Sequence, residues 1–128
     1  MFVFTKRAIW EVLWISNFYF MKTYNKLVRD KIPEIIAAEG TAFKTRILDD
    51  AEYKTELLKK LLEEGEEVSG AAGDKKELIK EIGDVMEVVE ALISVFGLSI
   101  EEIRKVKADR KNSRGGFDQK IFLEYTEE

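Results

Sequence analysis

Two long stretches, one from Asp49 or Asp50 to about Gly70 and one from about Lys76 to Phe96, repeat their apolar residues at helical spacing, and only Ala71 to Lys75 lies between them. A break that short leaves the second helix one course, an antiparallel return against the first. The chain is therefore expected to be mainly α, an antiparallel helix bundle. Both helices carry acids inside the apolar stripe. At 100° per residue Glu64 falls within the arc of Leu57, Leu61 and Val68, while Glu66 falls on the opposite side. Glu81 sits between Val88 and Leu92, Asp84 at the edge of that arc near Val95, and Glu87 points away.

Residues three apart on a helix share a side, so Glu64 with Glu67 and Glu81 with Asp84 form two pincers that the hairpin brings face to face. An ionised carboxylate in an apolar stripe is costly unless something positive compensates it. Four carboxylates at corresponding places predict a metal site. An all-oxygen donor set selects hard cations, Mg²⁺ first and Mn²⁺ second. The chain has no histidine and no cysteine, which excludes Ser-His and Cys-His nucleophiles, zinc sites built on those ligands and thiol redox chemistry. Glu63 borders the site and reads either as a solvated surface acid beside Lys60 or as a group that orients a water.

With 128 residues, one proline and regular apolar spacing, one domain with its own core is the expected count. The net charge is −4, but its distribution matters more. Acids concentrate between Asp49 and Glu90, and Arg104 to Lys120 is rich in Lys and Arg. A basic segment beside a metal-loaded acidic site suits a polyphosphate substrate. A nucleic-acid polymer is not the expected partner, because the charge is negative and no DNA-reading motif appears. The lack of cysteine fits a cytoplasmic chain.

The opening MFVFTKRAIWEVLWISNFYF differs sharply in composition from the rest. Glu11 interrupts the apolar run and no small-residue cleavage site follows, which argues against a signal peptide. Lys6, Arg7 and Glu11 leave too short an apolar stretch to cross a membrane. The expected organisation is an extension over residues 1–20, translated from upstream of a natural start at Met21, and a domain over 21–128.

Beyond the hairpin, Asp30 is the expected N-cap of a short helix with Pro33 in its first turn and Gly40 as its stop. Ser99 with Glu102 forms a capping box for a last helix running to about Asn112. Ser113 to Phe117 reads as a tight turn. A small two-stranded β element forms if Ala42–Leu48 pairs with Lys120–Tyr125. The apolar faces of two or three such helices exceed what one small chain covers, so a homo-oligomer is expected.

The segments KLLEEGEEV and ELIKEIGDVMEVVEAL together resemble the E-E-x-x-E, E-x-x-D signature of the MazG-like all-α NTP pyrophosphohydrolase superfamily, which includes phosphoribosyl-ATP pyrophosphohydrolases. YNKLVRDKIPEII and RGGFDQKIFL resemble a branch of small, single-domain housecleaning members. Gly65 departs from a good helix former inside the first motif, at a cost of about 1 kcal/mol relative to alanine. The resemblance implies hydrolysis of a nucleoside triphosphate between the α and β phosphates, giving a monophosphate and pyrophosphate. It implies Glu64, Glu67, Glu81 and Asp84 as magnesium ligands, with Glu63 and Glu64 as the groups serving the catalytic step. Substrate phosphates are expected to meet Lys107, Arg110 and Arg114 first, which recur at helical spacing, and then Lys26, Arg29 and Lys31. Two rivals remain: phosphoribosyl-ATP pyrophosphohydrolase of histidine biosynthesis, and a non-enzymatic helical interaction module.

Overall fold

The computed structural model describes residues 21–128, so the expectation for the opening segment lies outside it. Four helices form in this range: α1 Ile32–Ala38, α2 Asp50–Gly70, α3 Lys75–Val95 and α4 Ile100–Arg114. The molecule is mainly α. None of the described helices is long and apolar enough to cross a membrane.

Local chemistry explains where the two long helices begin and turn. Asp49 starts α2 by accepting a hydrogen bond from the Glu52 N–H at 2.8 Å. Asp74 starts α3 by accepting from the Lys76 and Glu77 N–H groups at 3.0 and 3.2 Å, so the connection between the helices is only 71–74. Beyond α3, Gly97 takes φ +62°. That left-handed turn lets Leu98 N–H donate to the Ile93 carbonyl and Gly97 N–H to that of Ser94, a Schellman closure that satisfies the last carbonyls. Ser99 caps α4 by accepting from Glu102 N–H at 3.2 Å. Only half of the expected capping box forms, because the Ser99 hydroxyl lies 3.3 Å from Glu101 and no bond returns from the Glu102 side chain.

Several boundaries differ from expectation. Lys31, not Asp30, is the N-cap of α1, and no side chain caps it; Pro33 in the first turn removes one of the N–H groups a cap would serve. The last helix continues to Arg114, where Gly115 at φ +84° ends it, and the turn that follows is closed by Lys120 N–H on the Phe117 carbonyl. No strand forms among the described residues: Ala42–Leu48 and Lys120–Tyr125 make no ladder. A strand needs a paired neighbour for its N–H and C=O groups. Here the tail leaves the end of α4 with Ile121, Phe122, Leu123 and Tyr125 exposed.

Extensive packing joins α2 to α3. Leu57 (3% exposed) and Val88 (8%) are the buried apolar residues there. Glu64 lies seven residues after Leu57 and Glu81 seven before Val88, two helical turns in each case. In an antiparallel pair those steps run the same way along the axis. The apolar pair and the acidic pair are thus successive layers of one interface.

Candidate metal centre

The acidic layer lies within the α2–α3 contact, under two turns from the connection: Glu64 is six residues before the end of α2 and Glu81 six after the start of α3. Glu64 and Glu81 are each only 8% exposed, as deeply buried as Val88. Together with half-buried Asp84 they present one carboxylate oxygen apiece, all within 4.8 Å of one another. An octahedral ion with oxygens about 2.1 Å away spaces its ligands roughly 3.0 to 4.2 Å apart, so a small inward closure suffices. The donors are all hard oxygens, so their chemistry fits Mg²⁺ or Mn²⁺.

Glu67 stands apart from this group, and the antiparallel geometry explains why. Glu64 and Glu81 share a layer. Glu67 is one turn nearer the hairpin connection, whereas Asp84 is one turn farther from it, which separates their backbones by about 9 Å along the axis. The two expected pincers therefore converge on a central pair with an arm on either side. Glu67 is exposed and borders a cleft of about 410 Å³ at the connection, shared with Glu66, Asp74, Glu77 and Glu81. Glu66, expected on the solvated side, thus faces this cleft.

Electrostatic strain concentrates on one group. Burial pushes the Glu81 carboxyl above its ordinary pKa; the nearby Lys80 opposes this, but Asp84, Glu67 and Glu64 push it further up. The three acids named and Glu81 are thus close enough to repel. Lys80 approaches Glu81 only to 3.6 Å while holding Glu77 at 3.2 Å, and Lys60 lies 3.4 Å from both Glu63 and Glu64. Glu63 behaves oppositely. Its partial burial favours the neutral form, but the hydrogen bond from Lys26 and the charge of Lys60 outweigh that and hold it below the usual carboxylate range.

Of the six cations expected to meet phosphates, two reach the acids within this chain. Arg29 donates to Asp84 Oδ1 at 2.7 Å and Lys26 to Glu63 Oε1 at 3.1 Å. Lys31 is exposed at the start of α1. Lys107, Arg110 and Arg114 lie exposed on α4 and form no hydrogen bond or ion pair with the cluster. Within one chain, then, Lys26 and Arg29 stand beside the acids and the cations of α4 do not. Sequence spacing named Lys26 and Arg29 but not their acid partners, because the segment before α1 has no periodicity that relates it to α2 and α3.

A buried, oxygen-only acidic layer inside an α-helical hairpin is an arrangement that could hold a hard divalent cation. The family model described as phosphoribosyl-ATP pyrophosphohydrolase matches residues 21–111, a span that includes every acid of the centre, α1 to α3 and most of α4. The chain belongs to that family, within the MazG-like all-α NTP pyrophosphohydrolase superfamily, and is a pyrophosphohydrolase. Family membership sets aside the non-enzymatic interaction module. No curated protein and no solved structure matches the chain.

Proposed function

We propose that this pyrophosphohydrolase is Mg²⁺-dependent and cleaves nucleoside triphosphates between the α and β phosphates, releasing a monophosphate and pyrophosphate, in the housecleaning of non-standard nucleotides. The observation that carries the site is the approach of the Glu64, Glu81 and Asp84 oxygens to within 4.8 Å between the two helices of the hairpin. These three hold the ion, with Glu67 as the adjoining arm. A divalent cation there would neutralise phosphate charge and lower the pKa of a bound water.

The remaining steps fall to the protein's own groups. Glu63, kept ionised by Lys26 and Lys60, accepts the proton of the attacking water, with Glu64 beside it orienting that water. Arg29, Lys26 and Lys31 meet the phosphates from the N-terminal side. Lys107, Arg110 and Arg114 complete the clamp from a second copy of the chain, since α4 stays clear of the acids of its own subunit. A homo-oligomer also covers the apolar residues that the hairpin leaves bare.

The family description favours a second substrate, phosphoribosyl-ATP, whose triphosphate presents the same bond. Incubation of the protein with Mg²⁺ and a panel of normal and modified nucleoside triphosphates, plus phosphoribosyl-ATP, tests both readings. Pyrophosphate without orthophosphate is the expected product. Orthophosphate alone would discard the proposed bond, and turnover of phosphoribosyl-ATP alone would replace the housecleaning role with the biosynthetic one.

A further inference from the structure

The segment 22–31 carries two cations that reach acids on different helices. Lys26 reaches Glu63 on α2, across 37 positions of sequence, and Arg29 reaches Asp84 on α3, across 55. Between them Leu27 and Val28 are half-buried. Residues 22–29 form neither helix nor strand, and their one backbone hydrogen bond runs forward into α1, from Ile32 N–H to the Arg29 carbonyl. Two ion pairs and one short apolar anchor therefore hold this strap over the site.

The two pairs differ in what they occupy. Lys26 binds Glu63, which is outside the converging oxygens. Arg29 binds Asp84, which is one of the three. A divalent cation entering the cluster meets a guanidinium already seated on a ligand carboxylate, and like charges repel at that distance. Arg29 is 57% exposed along its side chain, so it has solvent to turn into. An exposed pair of this kind is weak and exchanges readily for a doubly charged ion.

We propose that Arg29 is an exchangeable counter-ion of the metal centre: it caps Asp84 in the metal-free protein, leaves when a divalent cation binds, and is thereby released beside the ion to grip a substrate phosphate, while Lys26 keeps the strap tethered. This inference rests on the metal-centre reading above. The guanidinium of Arg29 suits both states: it donates through one nitrogen to Asp84 Oδ1 here, and its several N–H groups are equally able to donate to phosphate oxygens.

Calorimetric titration with Mn²⁺ alone, combined with amide hydrogen exchange at Ile32, whose N–H donates to the Arg29 carbonyl, tests it on the full chain. Arg29→Gln is expected to bind Mn²⁺ about two- to fivefold more tightly than the wild type, the scale of one exposed ion pair that no longer has to break. Arg29→Lys restores the wild-type affinity. Arg46→Gln serves as the control for net charge, because Arg46 is paired with Glu52, about 18 Å before Glu64 along α2, and it leaves Mn²⁺ affinity unchanged. In the wild type Mn²⁺ speeds exchange at Ile32, and in Arg29→Gln that exchange is already fast without it. Mn²⁺ binding with no change in Ile32 exchange, or weaker binding by Arg29→Gln, would overturn the inference while leaving the metal centre standing. Absence of Mn²⁺ binding to the wild type would overturn the metal centre, and this inference with it.

Discussion

Glu81→Gln is expected to lower pyrophosphate release by roughly 10³-fold or more, the scale of losing a metal ligand that acts in the transition state, while raising the melting temperature of the metal-free protein at neutral pH. The two effects share one cause. Burial and the neighbouring acids raise the Glu81 pKa, so the folded chain holds that proton more tightly than the unfolded chain does. The resulting stabilisation is complete below the unfolded-state pKa and fades as pH rises through the folded one. Above that window the wild type therefore carries an ionised carboxylate that its surroundings disfavour. The neutral amide removes that charge while keeping the shape. Metal-free melts should rise on acidification through this window in the wild type and depend less on pH in the variant. Full activity in Glu81→Gln would remove Glu81 from the site, and a lowered melting temperature would contradict the electrostatic account.

The second large effect concerns assembly. A domain of this size ordinarily buries about two-thirds of the surface its unfolded chain exposes. Among the described apolar residues, however, only Leu57 and Val88 are buried. Ile79 (65% exposed), Ile82, Met86 (61%) and Val89 form an uncovered stripe at helical spacing on α3, with Leu58 and Leu62 (71%) on α2. Covering such side chains stabilises by about 1.5–3 kcal/mol each. Light scattering on the eluted protein is accordingly expected to give a mass of at least two chains. Glu at both Ile82 and Met86 should reduce the mass and lower the melting temperature together, since it places charge in the middle of the stripe. A monomeric wild type would contradict the assembly and, with it, the contribution of Lys107, Arg110 and Arg114 from a second copy.

What was legible in the sequence was what repeats. The helical spacing around Leu57, Leu61 and Val88 gave the two long helices, and the polar break after Gly70 gave their antiparallel return. Asp49 and Ser99 were readable as caps because their chemistry is local. Glu64 and Glu81 stood out as acids in apolar arcs, and both are buried. The axial layering was not legible from spacing on either helix alone: that Glu67 and Asp84 fall on opposite sides of the central pair follows from the register between helices, which the length of the connection fixes. The pairing of Arg29 with Asp84 joins segments that share no periodic pattern. The β-prone stretches misled because β propensity measures fit to a pleated, half-buried surface, and neither Ala42–Leu48 nor Lys120–Tyr125 meets one within the described residues.

The ion itself is the most direct test. Crystals of the protein soaked in Mn²⁺ with a non-hydrolysable nucleoside triphosphate should show an anomalous peak bonded to Glu64, Glu81 and Asp84, with the α and β phosphates against it. A peak elsewhere, or none at saturating Mn²⁺ with those carboxylates turned to solvent, would contradict the account.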